Sequence, residues 1–119
     1  MKETLKALAV SLPAEYEAEF VENDLKLACD HGYCKTYVFV SDTRTPIENS
    51  KGTTVLLQYI ESKGYNYQLS SFVNETPKVY RVTWCKTLKE ARDGEQVAFG
   101  ATIAEAVSKA ALEVAGRMK

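Results

Sequence analysis

The chain has 119 residues, 45% apolar and 26% charged, with a net charge of −1. That is enough for one globular domain with a core of its own. The near-neutral charge excludes a general attraction to nucleic acid or acidic membranes. No run of about 18 apolar residues spans a bilayer, and the three cysteines come without an export signal, so reduced thiols in a cytoplasm are expected.

Residues 2–10 read as a short helix with Leu5, Leu8 and Ala9 inward, ended by Ser11-Leu12-Pro13. From Glu15 to Phe20, polar and apolar residues alternate strictly, which is strand periodicity. Glu22-Asn23-Asp24 is turn chemistry. Leu25, Leu27 and Cys29 continue the alternation, Asp30-His31-Gly32 is a second turn, and Tyr33 to Ser41 is a strong strand. The product is a three-stranded meander. Its rival is one long helix from Pro13 to His31 with Gly32 as its C-cap, which Ala14, Ala18, Val21, Leu25 and Ala28 fit.

Asp42 to Gly52 reads as a polar connector and a sub-domain joint. Thr53 to Lys63 follows as a helix with Val55, Leu56, Tyr59 and Ile60 on one face and Gly64 at its end. Tyr65 to Val73 is a strand, Asn74-Glu75-Thr76-Pro77 a turn, and Val79 to Cys85 a second strand. Leu88 to Gly94 is a charged loop and Glu95 to Phe99 a third strand. The closing helix, 102–118, has the clearest local signal. Thr102 and Glu105 form a capping box, and Ile103, Val107, Ala110, Ala111, Val114 and Met118 make a thin apolar stripe. The expected fold is a single α+β domain: an antiparallel sheet of five to six strands with helices packed against it. Within it, an acidic part (1–48, five Lys/Arg against nine Asp/Glu) precedes a mildly basic helix–three strands–helix part, 51–118.

That order, with Pro77-Lys78-Val79-Tyr80-Arg81-Val82 and Gly100 to Ala106 followed by Ala110-Ala111, resembles a double-stranded RNA-binding domain. The resemblance implies its topology. Where that family carries phosphate-holding lysines, this chain has Ile103, Ala104 and Val107, and the family's loop histidine has no counterpart. The run from Thr102 to Leu112 also resembles the closing helix of small phage α/β sandwich (ABA-sandwich) proteins. That likeness implies a phage or prophage protein, and it brings no catalytic residues.

Cys29-Asp30-His31-Gly32-Tyr33-Cys34 gathers three soft ligands, but a tetrahedral structural site needs a fourth. The run reads as a turn flanked by small cysteines, and no metal or cofactor is expected. A single histidine leaves no convergent nucleophile–base pair. Lys51-Gly52-Thr53 lacks the preceding glycines of a phosphate loop. The chain therefore reads as a non-enzyme. Seven tyrosines and one tryptophan are the remaining signal. Tyr80, Val82 and Trp84 share one strand face that suits packing under the helices. Tyr65 and Tyr67, with Arg81, Lys86, Lys89 and Arg92 nearby, form the candidate partner-binding strip, because tyrosine and arginine are common hot-spot residues. The expected function is a small protein-binding domain, plausibly phage-encoded, that occludes a host or defence protein. The alternative is a module for RNA or single-stranded DNA, with weak binding. The partner's identity and the oligomeric state stay open.

Overall fold

A computed structural model describes residues 1–30 and 34–117. The elements in chain order are α1 (Lys2–Ser11), a single 3-10 turn (Ala14–Tyr16), β1 (Glu19–Val21), β2 (Asp24–Asp30), β3 (Lys35–Val40), α2 (Pro46–Ser62), β4 (Asn66–Phe72), β5 (Val79–Cys85), α3 (Leu88–Asp93), β6 (Gln96–Gly100) and α4 (Ile103–Arg117).

The fold is α+β, but the expected single sheet is two. One antiparallel sheet runs β1-β2-β3 and the other β4-β5-β6. The reason lies in what separates them. α1 packs on β1 and β2, α4 on β5 and β6, and α2 reaches strands of both sheets while also packing on α4, which touches α1. The helices therefore fill the space between the sheets. Val38 and Val40 of β3, Tyr59 and Ile60 of α2, Val82 and Trp84 of β5, and Val107 and Ala111 of α4 belong to one buried cluster. Each fully buried aliphatic side chain there contributes about 1.5–3 kcal/mol.

α4 explains why this arrangement needs small residues. Its predicted stripe at Val107, Ala110, Ala111 and Val114 is buried, and so are Ala104, Ala106, Ser108 and Ala115. A helix covered on several sides can sit close to its neighbours only if its side chains are short. Thr102 and Glu105 cap the helix: Glu105 N–H donates to Thr102 Oγ1 at 3.1 Å as the capping box requires, while the Glu105 carboxylate accepts from Ala101 N–H at 3.0 Å rather than from the Thr102 amide. Met118, placed on the stripe from sequence, lies outside the described residues.

The meander reading of the N-terminal part holds, and the rival long helix does not form. The first strand is shorter than the alternation suggested, because residues 14–16 make a 3-10 turn and Glu17 adopts a left-handed conformation at φ 45°. Tyr16 meets Tyr59 edge-on at 5.5 Å. The turn placed at Asp30-His31-Gly32 falls largely outside the described residues.

Two segments read as loops are helical. Most of the supposed connector from Asp42 to Gly52 is the first two turns of α2. Thr45 and Glu48 form a reciprocal capping box, with Pro46 in the first turn. Asn49 is buried, accepting from Ser41 N–H and donating to Ser41 O. Gly52 then allows α2 to lie against β3: a Cβ there would stand 2.6 Å from the Phe39 carbonyl oxygen. The charged stretch Leu88–Asp93 is α3, capped by Thr87 through Glu90 N–H.

Candidate functional site: the outer face of the second sheet

In the β4-β5-β6 sheet, alternate residues face opposite sides. Tyr67, Leu69, Tyr80, Val82, Trp84 and Ala98 form the inner face, whose Val82, Trp84 and Ala98 belong to the buried core with Tyr67 and Tyr80 packed against it. The outer face carries Gln68, Ser70 and Phe72 on β4, Val79, Arg81 and Thr83 on β5, and Val97 and Phe99 on β6. α2 and α4 pack on the inner side. Phe72, Val97 and Phe99 on the outer side are 36%, 46% and 50% exposed.

Arg81 is the centre of this face. It is paired across the ladder with Ser70 on one side and Phe99 on the other. Its guanidinium lies 4.9 Å from the Phe72 ring centre. The side chain is half-buried, and its Nε is enclosed without a hydrogen-bond partner. With Nε enclosed, an incoming carboxylate can meet only the terminal Nη groups of this ring-stacked guanidinium. Among the described residues, nothing stacks on Phe99.

The sequence-predicted strip does not stay together. Tyr67 turns inward, opposite Trp84, and is half-buried. Burial, and then the neighbouring Glu61 carboxylate, push its hydroxyl above the usual tyrosine range. Tyr65 is half-buried against the core, with Lys86 Nζ 5.1 Å from its ring centre. Lys86, and Lys89 and Arg92 on α3, are exposed at the end of the sheet. There Lys86 N–H donates to Glu90 Oε2 at 2.8 Å, and Tyr65, Trp84, Lys86, Glu90 and Gln96 line a cleft of about 300 Å³. Arg81 alone of the six reaches the outer face. Phe72, Val97 and Phe99 were missed, although a signal for them exists. Once Tyr67 is assigned inward, parity along β4 sends Phe72 outward, whereas Phe99 needed the β5–β6 register, which pairs it with Arg81.

Cys29 is half-buried on β2, Cys34 exposed and Cys85 buried on β5, and none of the three is in a disulfide among the described residues. His31 lies outside the described residues, and among the described ones no group of three His, Cys, Asp or Glu could hold a metal ion. No helix among them is long and apolar enough to cross a membrane.

A small α+β domain with helices packed between two sheets, and exposed phenylalanines on the outer face of one sheet, is the class that this geometry defines. The chain matches no known protein family, no curated protein and no solved structure.

Proposed function

We propose that this chain is a non-enzymatic protein-binding domain that docks a partner on the outer face of its second sheet, around Arg81. One observation carries the reading: three large apolar side chains, Phe72 on β4 and Val97 and Phe99 on β6, stand exposed on the side of the sheet opposite α2 and α4. Apolar exposure grouped on one face in this way marks interaction surfaces. The partner's matching group is a carboxylate set over Arg81 between the two phenylalanines.

The size of the face bounds the complex. Three strands of about five residues give roughly 14 by 17 Å, well below the about 800 Å² per partner of a standard interface. A lasting complex therefore also engages the rim, where Val73 is 64% exposed. A phage-encoded inhibitor that acts in the host cytoplasm by occlusion is the concrete version of this proposal. It is supported by the wording of the closing helix and by the small size of the chain.

A second reading, single-stranded nucleic acid, is favoured by the Phe72–Arg81–Phe99 arrangement, since flat rings on a sheet stack bases. It is weakened by Arg81 being the face's single cation. Such binding would be weak and salt-sensitive.

The test is affinity capture with quantitative mass spectrometry, using the wild type, Phe99→Glu and Val21→Glu as baits after each is shown to melt normally. Val21 is exposed on the other sheet and serves as the control. A protein captured by wild type and Val21→Glu but lost with Phe99→Glu is the expected result. Equal capture by all three would exclude this face.

A further inference from the structure

An edge strand presents a row of backbone N–H and C=O groups that can pair with another chain. Of the four strands at sheet edges here, three are blunted. β1 is three residues long and carries Glu19, and β3 carries Lys35, which pairs with Glu17. β6 is five residues long, and its Gly100 end lies under the start of α4, where a Cβ would stand 2.6 Å from the Ala106 nitrogen. β4 has none of these devices. Its seven residues, Asn66–Phe72, include no charge, no proline and no glycine, and no bulge interrupts its register with β5. Among the described residues, its backbone bonds only to β5, apart from the turn bond from Glu75 N–H to Phe72 O.

The inner side of β4 is covered along only half its length. Tyr67 is half-buried beside Glu61 at the end of α2, whereas Leu69 and Ser71, further along the same side, are exposed, Leu69 by 38%. Consider β4 paired antiparallel with the β4 of a second copy, around a two-fold axis at Leu69. The covered half of each strand then lies beside the uncovered half of the other, and the two α2 helices stand apart. In that register the strand is its own complement. Leu69 meets its own counterpart, Tyr67 meets Ser71, and Gln68 meets Ser70, with no like charges set face to face. Pairing β4 with β6 of another copy would instead be head-to-tail and would not close into a dimer.

We infer that the chain forms a two-fold homodimer through β4, joining two three-stranded sheets into one of six strands. Alternate residues of the seven bond to β5, so three or four in each copy turn their backbone groups to the edge. The contact is about 24 Å long and about 10 Å deep, one sheet thick, well below the about 800 Å² per partner of a standard interface. The dimer is therefore weak and needs high protein concentration. Both outer faces lie on the same side of the joined sheet. Dimerisation thus doubles the surface around Arg81, which a single copy offers at less than standard size, while the pairing itself uses neither Arg81 nor Phe99.

Sedimentation velocity of the full chain, from low-micromolar to near-millimolar concentration, tests this. We expect the average mass to climb from that of one chain toward that of two. Leu69→Lys, which sets two charges face to face on the axis from an exposed position, should hold it at one. Phe99→Glu should leave the dimer unchanged, so loss of the docking face and loss of the dimer are read separately. Oxidation on a Cys34→Ser background tests the register. Leu69→Cys should cross-link to its own counterpart. Ser71→Cys should not, because its two copies stand about 14 Å apart along the strands. Peptide mapping identifies the joined positions and answers the question even if Leu69→Lys folds poorly. A monomer throughout the concentration range overturns the proposal. So does a dimer that persists in Leu69→Lys, or a Ser71→Cys link that forms as readily as the Leu69→Cys one.

Discussion

The two sheets have the same strand number and the same antiparallel order, yet their outer faces differ. On the first, the exposed ring of Tyr37 and the half-buried ring of Phe39 each have a cation of the chain above them. Lys26 Nζ lies 4.3 Å from the Tyr37 ring centre and the Arg44 guanidinium 4.8 Å from that of Phe39. Arg44 is held in turn by Asp24, with Nε to Oδ1 at 3.2 Å and Nη2 to Oδ2 at 3.1 Å. This face satisfies itself: cation–ring contacts at exposed sites are worth about 0.5–1 kcal/mol each, and the forked ion pair fixes one of the cations. On the second face, Phe99 and Val97 are uncovered, and Arg81, stacked on Phe72, leaves its Nε unpaired. A sheet face in permanent contact with water can be finished by its own chain. The unfinished one is the place to look for a partner.

The comparison assumes that both faces hang on one common core, and the largest predicted effect tests that. Val107 is fully buried on α4. Val107→Asp places a charge without a partner there, which costs several kcal/mol. Both sheets should be lost together, seen as one vanished melting transition in circular dichroism. Survival of half the strand signal would mean that the sheets fold separately. Next in size is Gly52→Ala. The added methyl meets the Phe39 carbonyl at 2.6 Å and a Val40 methyl at 2.4 Å, so α2 must lift off β3 at a cost of about 1–3 kcal/mol. The damage should be centred on the first sheet, read as faster hydrogen exchange at Leu25 and Val40 than at Val82.

How far the sequence carried this depended on the signal involved. Period-2 alternation found five of the six strands nearly in place, and the Thr102–Glu105 pair located α4 to within a residue. The number of sheets was not legible, because alternation reports which face of a strand is apolar and not which helix covers it. The start of α2 was misread because Asn49, Ser50 and Gly52 are turn residues by local preference. Asn49 instead binds the Ser41 backbone, and Gly52 is small for the sake of β3. The binding strip was misplaced for a related reason. Tyrosine is equally at home in a core and on a surface, so Tyr65 and Tyr67 drew attention, whereas parity pointed to Phe72 and the β5–β6 pairing to Phe99.

The two tyrosine–phenylalanine alternatives give opposite readouts. Tyr67→Ala removes a half-buried ring packed against the core and should lower the melting temperature by several degrees. Phe99→Ala should move stability by no more than about 0.5 kcal/mol, as exposed substitutions do, while costing about 2 kcal/mol of partner binding. Thermal melts beside titrations with the captured partner measure both. A normal melt for Tyr67→Ala would return that residue to the candidate surface. A strongly depressed one for Phe99→Ala would make Phe99 structural.

The smallest predicted effect belongs to the self-satisfied face, and it sets the scale of what finishing a face contributes. The forked bonds from Arg44 hold the Asp24 carboxyl below the usual range for an aspartate. A carboxyl whose pKa is lower folded than unfolded adds stability when ionised in both states. That contribution is present above the unfolded value of about 3.9 and disappears as pH falls through the lower, folded value. Asp24→Asn should therefore destabilise the chain at neutral pH by about 1 kcal/mol or less, the range for a partly exposed ion pair. The gap to wild type should close as the pH falls below about 3.9. Paired urea titrations of the two proteins at pH 7 and pH 3 measure this. A gap that stays the same at both values would show that Arg44 owes its place over Phe39 to the ring and not to Asp24. In that case the two faces would differ only in how many of their rings are covered.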